Sequence, residues 1–521
     1  MGRIDKVTYV TASPNDPAVV SGFAQAIPLV SRQLGRRCLS SIGGVPRETS
    51  RSSVKKSPID QRIVVATTAR AEEKDFVDAI SLAQKAFPSW RQTSIEKRTD
   101  ILRRAAELTR LRRFELATWM IYEMGKNWLE ALGEIEETAD LFDYYAQQML
   151  DNDGFTHRMG TMARSDTNTS VMRPYGVWGV IAPWNFPSAL LAAPIAAALV
   201  TGNTVVAKPA SDTPVTAALV AEIFFEAGLP EGTLSLLYAP GELAGRMLSR
   251  PEIAGATFTG SFEVGFRQLY QNFSVQYPRP CIVEMGGKNP AIVTANADLE
   301  KAATGIYRSS VGMNGHKCSA CSRVYVAREH HDEMRERLTE LFKKTAIGNP
   351  LERDTYVGPV ATPGGFADYQ RYVNTARSAN AIHTGGAVIK DGAFEHGFYV
   401  EPTLLTGLPE THPLVKDELF LPIVHLSAVD SLQEALRRAN DTHLGLTAGI
   451  FSRDPSEVEQ FLDQIEAGVV YVNRASGATT GAWPGVQPFG GWKGSGSTGK
   501  NIGGHHTLPC YMREQSRTVV S

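Results

Sequence analysis

The chain has 521 residues, 43% of them hydrophobic and 21% charged, with a formal net charge of -2. That length exceeds a single hydrophobic core and implies roughly two to four domains, while the near-zero charge gives no electrostatic reason to expect a nucleic-acid partner. Five cysteines (Cys38, Cys281, Cys318, Cys321 and Cys510) are too few and odd in number for a secreted disulfide framework, so a reducing, cytoplasmic setting is expected.

The N-terminal stretch MGRIDKVTYVTASPND lacks the apolar run of a secretory signal. Residues 1–60 are polar around one apolar patch, AIPLV, and read as an arm and a short hairpin. From Lys74 the spacing of Phe76, Ile80, Leu82, Ala83 and Phe87 predicts a helix. Helical patterns continue through KRTDILRRAAELTRLRRFELATWMIYEMG and EALGEIEETADLFDYYAQQML. The apolar run from Ala189 to Val200 is broken by Pro194 and is shorter than the ~18 residues a membrane span needs, so no membrane is expected. Short β-rich runs then alternate with helical ones: GVWGVIAPWNF, NTVVAKPA, TPVTAALVAEIFFEAG, GTLSLLYAP, GELAGRMLSR and GATFTGS. Such alternation predicts a parallel α/β sheet. CIVEMGGKNPAIVTANA opens a second unit that repeats the alternation. Residues 475–499 form a loop rich in Gly, Ser and Thr, and CYMREQSRTVV is a final strand-like tail.

Several of these runs carry residues suited to chemistry. Cys318 lies in MNGHKCSACSR. A free cysteine is most often a small buried hydrophobe, and with Cys321 it forms a C-x-x-C that admits a redox or zinc reading. Zinc normally takes four ligands, and no second C-x-x-C or H-x-x-x-H supplies them, so no metal is expected. His316 and Lys317 precede the thiol and are candidates for lowering its pKa. Asn185 in PWNFP is either a packing residue or an amide donor to a developing oxyanion. Lys208 falls at a strand's C-terminal end, where open α/β sheets bind ligands. Gly260 and Gly265 flank a helix start that suits a pyrophosphate, although G-x4-G is weaker evidence than G-x-G-x-x-G. Glu284 in EMGGKNP stands 34 residues before Cys318.

Together PWNFP, GNTVVAKPA, FTGS, EMGGK, GHKCSA and DELFLP resemble the aldehyde dehydrogenase superfamily in order and spacing, from about residue 60 to the C-terminus. The resemblance implies an α/β fold with a Rossmann-like cofactor domain (residues 1–150 and 171–284) and an α/β catalytic domain (285–475). It also implies a small β oligomerisation element (151–170 and 500–521), a substrate-anchor loop region (476–499), and hence a homodimer or larger homo-oligomer. It implies an NAD(P)-dependent oxidation of an aldehyde to a carboxylate. Cys318 is then the nucleophile and forms a thiohemiacetal, then a thioester. Asn185, with the Cys318 backbone N–H, is the oxyanion hole, and Glu284 is the base that hydrolyses the thioester. On the cofactor side it implies roles for Trp184, Lys208, Ser211, Gly260, Ser261, Gly286, Glu418 and Phe420. Ser211 stands where a ribose-binding glutamate is frequent, which leaves NADP open beside the preferred NAD. Leu421 replaces the family's glycine and is expected to shift the nicotinamide loop.

The chain is most similar to the 1-pyrroline-5-carboxylate dehydrogenase subfamily, in YEMGKNWLEALGEIEETADLFDYY, KCSACSR and TGAWPGVQPFGGWKGSG. That implies oxidation of L-glutamate γ-semialdehyde to L-glutamate, a step of proline catabolism. Ser319 and the backbone N–H groups of Gly481 and Ala482 would hold the carboxylate, with Phe186 and Phe489 flanking the aliphatic chain. The stretch ASGAT before Thr480 is about three residues longer than the usual form and is expected to reshape the pocket. The alternatives are a dehydrogenase for another small aldehyde such as succinate semialdehyde, a CoA-acylating enzyme, and a catalytically inactive structural or binding member. Retention of Cys318 and Glu284 argues against the last two.

Overall fold

The computed structural model describes residues 7–9 and 11–521. The chain opens on a helix, α1 (Pro17–Ser31), where the sequence predicted an irregular arm. Asp16 caps it by accepting from the Ala18 N–H at 2.8 Å, Pro17 occupies its first turn, and Val19, Phe23, Ala26 and Val30 bury one face. Pro28 inside the helix and the short apolar patch disguised it. A hairpin of Ser40–Ile42 and Val45–Arg47 follows, as expected.

Four helices come next: α2 (Glu73–Trp90), α3 (Ile95–Leu111), α4 (Arg113–Met124) and α5 (Trp128–Asp151). The predicted apolar stripe of α2 is buried at Phe76, Ile80 and Ala83, with Leu82 and Phe87 half-buried. Gly125 ends α4 with φ 75, the left-handed conformation that glycine adopts without a Cβ penalty. Beyond them lie α6 (Ala189–Val200), α7 (Pro214–Glu226) and α8 (Gly241–Leu248). The apolar run around Pro194 is α6, rich in alanine and enclosed on all sides.

Two seven-stranded sheets position the site. The first runs in the order Cys281–Glu284, Gly255–Thr259, Val177–Ile181, Thr204–Lys208, Leu234–Leu236, then the N-terminal hairpin. Its first five strands are mutually parallel. Both faces are covered. Val205 and Ala207 pack with α3 to α7, and Val206 between them packs with α2 and α8. This two-sided burial explains why these strands read as continuous apolar runs. The second sheet runs Ile382–Thr384, Thr403–Thr406, Ile423–Val429, Cys321–Ala327, Asn289–Val293, Thr447–Phe451, Val469–Val472, parallel except at its first pair. The chain leaves the first sheet at Glu284 and enters the second at Asn289. A third, antiparallel sheet joins Thr156–Arg158, Asp166–Pro174 and Met512–Val520, the last pair in register over nine residues.

Candidate active site

The C-terminal ends of the first sheet carry one functional residue after another. Lys208 and Glu284 are the last residues of their strands, Gly260 and Ser261 follow Gly255–Thr259, and Asn185 lies in the turn between Val177–Ile181 and α6. A parallel α/β sheet presents its ligand crevice at this edge. The cysteine loop reaches it from the second sheet, between the helix Leu299–Val311 and the strand Cys321–Ala327.

That loop is tightly held. Met313, Asn314 and Gly315 all take positive φ, and the Asn314 amide donates to the Gly358 carbonyl at 2.6 Å. Asn289, from the EMGGKNP run, donates to the carbonyls of Cys318 at 2.7 Å and Ala320 at 2.9 Å. Thr479 donates its hydroxyl to the Ser319 carbonyl at 2.7 Å, and its own N–H is held by Ser309 at 3.1 Å. Thr479 belongs to the stretch ASGAT, so that extra length is clamped onto the cysteine loop and the Leu299–Val311 helix. Cys321 begins its strand with the thiol on the Arg323 carbonyl. Among the described residues no group of three or more His, Cys, Asp or Glu could hold a metal ion.

One cavity of ≈ 550 Å³ gathers much of what the sequence singled out. Cys318, Ser319, Glu284, Phe186 and Phe489 line it, together with the loop Gly481–Ala482. Asn185 sits against the cysteine loop, donating to the His316 carbonyl at 3.0 Å. The Cys318 thiol is half-buried, and desolvation, then the Glu418 and Glu284 carboxylates, push its pKa well up. Burial also raises the Glu284 carboxyl well above the usual carboxylate range. Its Oε2 is enclosed without a hydrogen-bond partner.

The expected activation by His316 and Lys317 is corrected here. His316 is enclosed in an aromatic cluster, 5.1 Å from the Trp184 ring and 6.2 Å from Phe420, and desolvation drops its pKa to about 3. It is neutral near pH 7 and lends the thiol no charge. The Lys317 ammonium turns to Glu130 at 3.3 Å. Adjacency in sequence says nothing about side-chain direction, and here both point elsewhere.

The residues expected on the cofactor side are not among those lining this cavity. Glu418 accepts from the Gly287 N–H at 2.9 Å, and Gly286 beside it leaves no room for any side chain against that carboxylate. Burial raises Glu418 to about 7. Phe420 packs edge-on to Trp184 with ring centroids 5.4 Å apart and takes φ 57. Leu421, which stands where the family has glycine, is buried in the core of the second unit. Lys208 is buried and, among the described residues, has no carboxylate within salt-bridge distance. Ser261 caps the following helix by accepting from Val264. Ser211 is exposed, and its neighbour Asp212 pairs with Lys55 at 3.7 Å.

Sequence reasoning missed the support beneath PWNFP. Lys126 and Glu134 form an enclosed ion pair, 1% and 0% exposed. Glu134 also accepts from the Ser188 and Ala189 N–H groups at the start of α6, at 2.7 and 3.2 Å, and Lys126 stands 4.3 Å over the Phe186 ring. The signal was available: Glu130, Glu134 and Glu137 are spaced as one helical face. Glu134→Ala leaves Lys126 charged and unpartnered and uncaps α6. A loss of about 3–5 kcal/mol is expected, read as a lowered thermal midpoint at fixed scan rate. An unchanged midpoint would show that the pair supports nothing.

The sequence matches the model of the aldehyde dehydrogenase family over residues 45–516. The 1-pyrroline-5-carboxylate dehydrogenase of Geobacillus thermodenitrificans is 37% identical over 508 residues, 95% of each chain. The 1-pyrroline-5-carboxylate dehydrogenase 2 of Bacillus subtilis is 36% identical over 96% of each. A solved 1-pyrroline-5-carboxylate dehydrogenase from Thermus with bound NAD superposes with a TM-score of 0.93 at 32% identity, over 100% of both chains. A betaine aldehyde dehydrogenase from Staphylococcus aureus gives 0.88 at 28% identity, over 95% of this chain and 96% of that one.

Proposed function

The chain belongs to the aldehyde dehydrogenase family, and we propose that it oxidises L-glutamate γ-semialdehyde to L-glutamate with NAD through a covalent intermediate on Cys318. The observation that carries this reading is the single cavity that holds the Cys318 thiol, the Glu284 carboxyl and the Gly481–Ala482 loop together. The subfamily relatives and the Thermus enzyme with bound NAD support the substrate and the cofactor.

In this reading Cys318 Sγ adds to the aldehyde carbon. The aldehyde oxygen takes up negative charge, met by the Cys318 N–H and by the Asn185 amide. One amide proton of Asn185 is fixed on the His316 carbonyl, which orients the other. Bound NAD would supply the hydride acceptor for that carbon, so that Cys318 is left carrying a thioester. Glu284 then removes a proton from the water that attacks the thioester, releasing the carboxylate and restoring the thiol.

The donor set suits a dinucleotide. Lys208 offers a buried amine with no carboxylate within salt-bridge distance among the described residues, and Glu418 a carboxylate, both matched to ribose hydroxyls, and Ser261 marks a helix start matched to pyrophosphate. Asp212 next to Ser211 is paired with Lys55, and the Thermus relative with bound NAD supports NAD over NADP. Ser319, with the Gly481 and Ala482 N–H groups, anchors the carboxylate between Phe186 and Phe489. Residues 1–150 and 171–284 carry the cofactor and 285–475 the nucleophile. The outer strand Met512–Val520, exposed at Val519 (62%) and Val520 (69%), pairs with a second copy. Five free thiols suit the cytoplasm.

The test is a steady-state panel read as NAD reduction: glutamate γ-semialdehyde, succinate semialdehyde and short aliphatic aldehydes, repeated with NADP. The expected result is a kcat/KM for glutamate γ-semialdehyde at least about 100-fold above the aliphatic aldehydes, since an unfilled polar anchor discriminates strongly. Aliphatic aldehydes winning by orders of magnitude would refute the substrate.

A further inference from the structure

We propose that Tyr9, ahead of α1, is a specificity-determining residue that closes the substrate cavity behind the carboxylate anchor and limits the length of aldehyde admitted. The proposal rests on the aldehyde-oxidation reading above. Tyr9 lines the same cavity as Cys318 although it lies in a different region of the chain.

Three contacts seat its ring. The hydroxyl donates to Glu137 on α5 at 2.6 Å. The ring meets Trp483 edge-on, with centroids 5.5 Å apart and planes at 77°. Its flank lies on Gly133, where an added Cβ would stand 2.6 Å from Tyr9 Cδ1. Glycine inside a helix is less stable than alanine, and at Gly133 the missing side chain is the space that Tyr9 fills. Trp483 directly follows Gly481–Ala482 and is itself fixed, its Nε1 donating to Asp140 at 2.7 Å.

Tyr9 and Trp483 therefore form one aromatic wall adjoining the anchor loop. A substrate with its aldehyde at Cys318 and its carboxylate at Gly481–Ala482 ends in front of that wall. A chain longer by several methylenes meets the Tyr9 ring. At ≈ 550 Å³ the cavity is roomy for a five-carbon zwitterion, so length is selected by where the walls stand.

The test uses the full chain as wild type, Tyr9→Ala, Tyr9→Phe and Gly133→Ala, with kcat/KM for glutamate γ-semialdehyde, hexanal and decanal. Tyr9→Ala is expected to raise the decanal-to-hexanal ratio about tenfold or more, the scale on which a pocket distinguishes a few methylenes. Gly133→Ala displaces the ring from its seat and shifts the ratio the same way, which keeps the test informative should Tyr9→Ala fold poorly. Tyr9→Phe keeps the ring in the wall, so its decanal-to-hexanal ratio stays within about threefold of that of the wild type. Unchanged ratios in both Tyr9→Ala and Gly133→Ala, or an equal fall on all three aldehydes, would overturn the proposal. A wild type inactive on glutamate γ-semialdehyde would instead remove the substrate reading, and the decanal-to-hexanal ratio would still judge Tyr9.

Discussion

Cys318→Ala is expected to lower aldehyde oxidation by about 10⁴-fold or more, with cofactor binding and thermal midpoint close to wild type. The loss is large because every later step happens on the sulfur, so no other group takes over a fraction of the work. Alanine fits the same half-buried place, and the loop is held by the backbone carbonyls of residues 318, 319 and 320, not by the thiol. The pH dependence follows from the same surroundings. Burial and two carboxylates favour the neutral thiol, and the Ser319 and Cys318 N–H groups offset them only in part. The thiolate fraction therefore grows with pH, and kcat/KM of the wild type should climb from neutral to alkaline pH by up to tenfold per unit. A kcat/KM flat from pH 7 to 9 would show a thiol already ionised, and activity surviving Cys318→Ala would remove it from the reaction.

The strand ends were legible because each is a short apolar run followed at once by a polar or glycine-rich turn, as in TVVAK before Pro209 and CIVE before Met285. Burial on both faces leaves that pattern few other readings. The contacts that orient the residues were not legible, since they join distant parts of the chain. Tyr9 and Glu137 are 128 positions apart, and Glu134 caps α6 from 54 positions away. His316 shows the opposite failure. It is next but one to the nucleophile in sequence, yet packing turns its ring into the Trp184–Phe420 cluster, where it stays uncharged. The α1 helix was obscured by Pro28, which occupies an exposed position and does not disturb the buried stripe of Val19, Phe23, Ala26 and Val30.

Glu284→Gln should separate the two halves of the reaction. Glutamine keeps the shape of the side chain at the end of its strand but takes no proton. Capture of the aldehyde by Cys318 then proceeds, and hydrolysis of the thioester slows by about 10²–10⁴-fold, the usual contribution of a general base. The expected record is a burst of NAD reduction, one equivalent per active site, followed by a slow steady rate, with an acyl adduct on Cys318 detectable by intact mass. The environment supports this division. The Glu284 carboxyl is 5% exposed, its Oε2 is unpartnered, and burial raises its proton affinity well above the usual carboxylate range, which strengthens it as a base. In the wild type the steady rate should rise with pH as that carboxyl ionises, and in Glu284→Gln this part of the pH dependence should vanish. A variant with no burst would place Glu284 before thioester formation, and one with a wild-type steady rate would assign the proton to another group. The enclosed carboxylate is thus matched to the half-buried thiol: charge on Glu284 disfavours charge on Cys318, and the reaction uses the two groups in turn.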